Sequence, residues 1–556
     1  MSQTSSTHST STLIRPADQV IRAGAMYSMA EDRKVYRAIA IRDEWIVAVS
    51  QDPHGLDGLI TPGTHVVDKP ELTIIPTFFD THNHFIIAAR NMGKVPADQA
   101  HSIAELVELI RQQAAHTPPG QWVQTIDAWH ESNLAEGRLP TALELDQATQ
   151  EHPVWVKRGG HIGVANSLAL KLANITRDTP DPKGATIKRF PDGTPNGILL
   201  EAPAWKLVSN LIPPLSTDQL AANLKHACQV YNALGIGSVR DPIVTRDEFL
   251  AYQLLHERGE LSVRCQVMFL MPIGSVDSII ADIASLGVRS GFGDDWLRIW
   301  GLKTHMDGGA EGAAMDQPYI DAPNYSGYLY WKRDDLVKVA NYAVRRGWKI
   351  GTHAVGDSAV RNLLDAYEQV MQDNPGIKPG TLVIEHAMLA YAEQRARAIK
   401  LGIPITVEQS VLYRLGAEFL TRWGEERLRQ AVPIRAWVEE GAHIAAATDY
   451  PAGLYDPMLN IWGMVTRSTQ KAGIQGPEYA VDQYTAVQLS TSAGAQLIGE
   501  SDKRGTLQAG RVADLAAYRS DPTTCPVDEL LSLRPIFTMV GGQAVYDPES
   551  MLSEQG

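Results

Sequence analysis

Three cysteines in 556 residues, Cys228, Cys265 and Cys525, are too few and too scattered for a disulfide framework or a thiolate metal site. No run of about 18 apolar residues occurs, so no membrane-spanning helix is expected. Positive charge is also short. The 50 Lys and Arg face 64 Asp and Glu, and the formal net charge of −14 argues against nucleic acid or an anionic membrane as partner. No glycine-rich phosphate fingerprint stands at any strand-to-helix turn, which disfavours a nucleotide-binding open sheet. The start, MSQTSSTHSTSTL, lacks a basic n-region and an apolar h-region. Residues 1–13 therefore read as a disordered tail rather than a signal peptide, and a cytoplasmic location is the default expectation.

What is present is an ordinary globular composition, 44% hydrophobic and 21% charged, in a chain too long for one small core. Both ends alternate apolar and polar residues over short spans. Residues 14–74 contain VYRAIAIRDEWIVAVS, and residues 501–556 contain GTLQAGRVADLAAYRS and RPIFTMVGGQAVYDP. These are expected to be antiparallel strands that build one small composite β-sandwich from the two termini. The middle, 75–500, changes rhythm. LTIIPTFFDTH, LSVRCQVMFLMP, WLRIWGLKTHMDGG and TLVIEHA read as strands, alternating with amphipathic helices such as SAVRNLLDAYEQVMQD. About eight such strands predict an α/β fold, a (β/α)8 TIM-type barrel, with a doubly wound open sheet as the second reading. Roughly 130 residues, 86–220, separate the first barrel strand from the second. That is too long for a βα loop and reads as an insertion over the barrel mouth.

The ends of the strands carry the chemistry. IIPTFFDTHNHF places His82 and His84 two apart, and on an extended strand their rings would share a face. Lys303 ends the fourth strand, His353 the fifth, His386 the sixth and Asp449 the eighth. Active sites of such barrels form on that face from several strands. Singly, each residue has an ordinary reading: a strand-end histidine packs, and a lysine snorkels or pairs. Together they make a candidate metal-hydrolase site, because neutral imidazoles and carboxylates suit Zn and similar ions. A bound metal lowers the pKa of its water and polarises a carbonyl, and an adjacent aspartate can carry the proton.

The motifs FFDTHNHF, GLKTHMDGG, GTHAVGDSAV, VIEHA and TDYP, with YTAVQLSTSAGAQLIG and RGTLQAGRVADLAAY further on, resemble the amidohydrolase superfamily. The likeness is greatest to its N-substituted formamide deformylase-like branch and runs from about Val20 to Pro548. The resemblance implies that His82, His84 and Asp449 hold one metal, usually Zn, and that His353 and His386 hold a second. Lys303 would bridge them, carboxylated on its amine. Asp449 would double as general base and acid, and a water or hydroxide between the metals would be the nucleophile. Two departures stand out: Pro76-Thr77 where the family has Pro-Gly, and Gly309 where a serine is common.

For substrate, His161 of RGGHIGVANS is similar to a substrate-contacting histidine of the branch, or orders its own loop. Trp129, Tyr319, Trp331 and Tyr413 either line an aromatic pocket for a hydrophobic or aryl amide, or pack. The leading reading is hydrolysis of a C–N bond in a small amide, formamide, carbamate or urea. The alternatives are a deaminase, an ester or lactone hydrolase, and a metal-free barrel acting as a binding protein. By family analogy alone a homodimer is expected.

Overall fold

Eight short, mostly buried runs form a parallel sheet in a computed structural model of the protein. It describes residues 15–552 apart from 128, 130, 132–133, 160–161 and 272–273. The expected tail at 1–13 and His161 lie outside the described residues. The strands are β1 Phe78–Asp80, β2 Ile236–Val244, β3 Arg264–Leu270, β4 Leu297–His305, β5 Ile350–Ala354, β6 Leu382–His386, β7 Ile405–Val407 and β8 Ile444–Ala446. Their order in the sheet is their order in the chain, with no reversal. That is a barrel's order, and it rules out the doubly wound sheet. The strands are buried almost throughout, as expected where helices cover a parallel sheet. The helix Asp357–Asp373 supplies such a cover. It buries Val360, Leu363, Leu364, Tyr367 and Val370, spaced to fall on one stripe.

The strand ladder runs from β1 to β8, and hydrogen bonds beyond the strand ends close the seam. Thr81 Oγ1 donates to Ala446 O (2.9 Å), and Thr448 donates its N–H (3.0 Å) and Oγ1–H (2.5 Å) to the Asp80 carboxylate. Asp449 N–H donates to His82 O (2.7 Å), and His84 N–H to Tyr450 O (3.1 Å). The seam thus ties the first pair of histidines to the aspartate.

The expected first barrel strand, LTIIPTFFDTH, is two strands in two sheets. His65–Pro76 lies in a seven-stranded mixed sheet built from both termini, parallel to Gln19–Tyr27 and antiparallel to Leu515–Tyr518. Only Phe78–Asp80 enters the barrel. The chain changes sheets at Thr77, whose N–H reaches Asp514 O while Phe78 N–H reaches Gly235 O. Thr77 also explains the first departure from the family pattern. A Cβ on Gly237 would fall 2.4 Å from Thr77 Oγ1, so the threonine occupies room that this glycine leaves. At Gly309 an added Cβ would meet nothing, so packing does not demand glycine there. The terminal sheet curls, Trp45 bridging Val512, around a shared core of Ile21, Ile39, Ile74, Leu515 and Phe537.

Residues 87–223 form a separate compact unit. It has a five-stranded sheet and the helix Ile103–His116, with Leu106, Ile110, Val154, Val156 and Val164 in its core. Among the described residues no helix is long and apolar enough to cross a membrane.

Candidate metal centre

His82 and His84 converge, but not by strand alternation. β1 ends at Asp80, and both histidines lie in the irregular segment that follows. Their ring planes stand 88° apart with centroids 5.4 Å apart. Each ring is aimed by the nitrogen that does not face the site. His82 is 1% exposed, and its Nδ1 lies 2.6 Å from Glu385 Oε2. His84 Nδ1 lies 3.2 Å from Pro242 O, an acceptor that fixes the proton on Nδ1. Both Nε2 atoms then turn their lone pairs to Asp449, with Oδ1 3.1 Å from His84 Nε2 and 3.5 Å from His82 Nε2. One ligand atom from each of these three residues lies within 4.8 Å of the others, a spacing that fits one metal ion.

The second pair sits beside the first. The His386 ring is 4.7 Å from that of His82 and 4.6 Å from that of His353. His386 Nδ1 lies 3.0 Å from Glu408 Oε2. His353 Nε2 donates to Gly308 O (3.1 Å), which leaves its Nδ1 lone pair free. Lys303 is buried between the pairs, with Nζ 3.4 Å from His82 Nε2. The structure thus gathers all six sequence-derived ligand positions at the C-terminal ends of the strands.

The electrostatics suit metal ligation. Burial, reinforced by Lys303 and the neighbouring rings, holds His82 well below the ordinary histidine range, and burial with His386 does the same for His353. These rings are neutral donors. Burial would lower His386 too, but Glu408 outweighs it and raises the ring. Burial would raise Asp449, yet His84 at 3.1 Å and the positive charge around it keep the carboxylate below its usual value. Burial brings Lys303 down to about 8 against the pull of Glu385 and Asp449, so a minor neutral fraction of the amine, roughly a tenth, exists near pH 7.

Backbone strain collects here as well. Asp449 has φ +52°, His386 +79°, Ala387 +43°, and Ile243, beside the Pro242 that holds His84, has φ +65°. A β-branched residue in that region is a genuine outlier, and such outliers cluster at functional sites.

Several residues of the site were not read from the sequence. Glu385 precedes His386, so strand alternation would point it to the opposite face, but the positive φ at His386 redirects the chain. The Glu385 carboxylate accepts from Arg240 Nη2 (2.6 and 2.8 Å), His82 and Thr406 Oγ1. It fits only because position 351 is glycine, where a Cβ would come within 2.1 Å of Oε1. Glu408 follows β7 and is fully buried. Its two oxygens make no well-aligned hydrogen bond despite the 3.0 Å approach of His386, a donor set short of a cation. His305, two residues past Lys303 on β4, places its ring 5.2 Å from that of His353, and burial lowers it to about 3. The i, i+2 spacing in LKTH was the available signal. Asp307 accepts the N–H groups of Ala314, Val355 and Gly356 and so pins the loop that follows β4.

The aromatic candidates sit differently from the ligand set. Trp129 is 5% exposed in the core of the 87–223 unit, and its indole N–H donates to Lys157 O. Tyr319 is 2% exposed, with its hydroxyl on Ala313 O and its ring against Tyr325. Both act in packing here, because each polar tip already has a backbone acceptor. Trp331 donates to Thr304 Oγ1, and Tyr413 packs edge-on against Trp462.

The profile of the amidohydrolase family matches residues 65–546. The chain belongs to the amidohydrolase family. Among its relatives is an N-substituted formamide deformylase of Arthrobacter pascens, 29% identical over 506 residues, which span 88% of this chain and 91% of that protein. The LONG AFTER FAR-RED 3 protein of Arabidopsis thaliana is 26% identical over 551 residues, covering 95% and 92%. An uncharacterized metal-dependent hydrolase of Pyrococcus furiosus superposes with a TM-score of 0.73 at 25% identity, over 91% of this chain and all of that one. This amidohydrolase is thus deformylase-like in sequence and similar in fold to a metal-dependent hydrolase.

Proposed function

We propose that this amidohydrolase cleaves the C–N bond of a small, hydrophobic or aryl-substituted amide, formamide, carbamate or urea. The observation that carries the reading is the convergence of His82, His84 and Asp449 within 4.8 Å, with His353, His386 and Lys303 alongside. His82 and His84 through Nε2, with Asp449, would hold one divalent ion; His353 through Nδ1 and His386 through Nε2 would hold a second. Zn fits the nitrogen-rich donor set. Lys303, once its neutral amine has added CO2 and lost a proton to give a carbamate, would join these residues in holding the ions. When bound, the metal supplies Lewis-acid polarisation of the carbonyl and an acidified water.

The chain's own groups supply the proton handling. Asp449, kept ionised by His84 and its cationic surroundings, takes the proton of the attacking water on its carboxylate. It then delivers that proton to the departing nitrogen. Glu385 and Pro242 O keep His82 and His84 in the tautomer that presents Nε2. His305, its ring 5.2 Å from that of His353, is a further candidate for contact with the substrate carbonyl. His161 is assigned to substrate contact through its motif.

The likeness to the formamide deformylase supports formamides as the first substrates to try. The test is a panel of N-alkyl and N-aryl formamides, an aryl carbamate, a urea and a matched aryl ester, assayed with Zn-loaded protein and with Asp449→Ala. C–N turnover that disappears in the variant is expected. Turnover of the ester alone would contradict the reading.

A further inference from the structure

At the opposite ends of the same strands lies a cavity of about 560 Å³. It is lined by Gln266 of β3, Arg298 and Trp300 of β4, Lys349 ahead of β5, Lys378 and Glu500. Two of these carry polar side-chain groups that no hydrogen bond of the fold engages, and one of the two, on Trp300, is fully buried. Gln266 is 2% exposed, and its amide has no hydrogen-bond partner among the described residues. The Trp300 indole N–H is likewise buried without an acceptor. Buried polar groups are nearly always paired, so the orphaned Trp300 N–H, lining one cavity with the unengaged Gln266 amide, marks a place for a partner.

The charge around the cavity gives that partner a sign. Glu500 is the one carboxylate in the lining, and it is already engaged by Arg298 (2.6 Å) and Arg504 (2.8 Å). Lys349 reaches only the carbonyl of Ile498 (3.0 Å), and neither it nor Lys378 has a carboxylate in ion-pair range among the described residues. Burial, with Arg240, Arg298 and Lys378 adding to it, depresses Lys349 to about 8 despite Glu500. The region is short of negative charge. The Gln266 amide, the Trp300 N–H and the Lys349 ammonium bring donors to the lining.

We infer that this foot of the barrel is a binding site for a small oxyanion, a carboxylate or a phosphate, held by Lys349, Gln266 and the Trp300 N–H. The site lies at the base of a contact column. The Arg240 guanidinium stacks 4.4 Å over Trp300 and holds Glu385, which holds His82. An anion here would therefore touch the lowest member of the set that aims a metal ligand.

The test is calorimetric titration of the full-length, Zn-loaded protein with succinate and with inorganic phosphate, against sodium chloride at matched ionic strength. Binding at about 1 mM or tighter by at least one of them is expected. Which one binds separates a carboxylate site from a phosphate site. Gln266→Leu and Lys349→Gln should each weaken it by about tenfold or more. The Asp449→Asn variant, altered only at the metal cluster, should keep it. Absence of heat from both anions would overturn the assignment. So would binding that survives both foot substitutions, or that disappears in Asp449→Asn alone, since the metal cluster would then account for it.

Discussion

The two histidine pairs of the mouth are built differently. His82 and His84 follow the shortest kind of barrel strand and are drawn onto Asp449 by the β1–β8 seam, so a carboxylate already stands between them. His353 and His386 end two regular strands, lie ring to ring, and have no carboxylate between them. What stands nearby is Lys303, a cation that binds no metal until its amine is modified. The first pair is thus a site complete in the chain as translated. Under the proposed function the second depends on a chemical step at Lys303.

That difference sets the order of the expected effects. Replacing Asp449 by Ala should lower turnover by about 10²–10⁴-fold while the far-UV circular dichroism and unfolding midpoint stay close to wild type. Unchanged activity would break the claim that the first pair is the catalytic one.

Glu385→Gln comes next. It weakens the acceptor for His82 and leaves Arg240, fully buried, without its counter-charge. Metal affinity should drop by about 10–100-fold in chelator competition, and stability by about 3–5 kcal/mol in urea. Glu408→Gln, acting on His386, should instead weaken only one of the two bound ions. If both variants released metal equally, the two pairs would not be separable.

The smallest effect concerns Lys303 without metal. Its folded pKa of about 8 lies below the ordinary 10.5, so the unfolded chain binds more protons between those values. Stability of the metal-free wild type should therefore rise with pH from about 8 to 10.5, while below 8 the buried ammonium is fully penalised. Lys303→Met should be more stable than wild type at pH 7, by on the order of 1–3 kcal/mol, and the gap should narrow by pH 10. Paired urea titrations at the two pH values measure it. A less stable variant at pH 7 would mean that Glu385 and Asp449 already neutralise the lysine.

The barrel could be read from the sequence because its strands are continuous apolar runs separated by helices of period 3.6, and both patterns are local. The six positions proposed as ligands stood out in the sequence because each lies at or just beyond the end of such a run. What escaped has a physical reason in each case. The change of sheets at Thr77 depends on pairing with Asp514 and Gly235, hundreds of residues away in the chain. Glu385 was hidden by a positive φ at the next residue, which period-two reasoning does not anticipate. Trp129 and Tyr319 look like pocket residues by type, but their polar tips find backbone carbonyls inside the fold. Aromatic identity alone does not distinguish those outcomes.

Metal content by elemental mass spectrometry, on the purified protein and on Lys303→Ala, tests the central claim most directly. The account predicts about two Zn per chain in the wild type and about one in the variant, the first pair keeping its ion. One ion per chain unaffected by Lys303, or none after reconstitution with Zn, would contradict it.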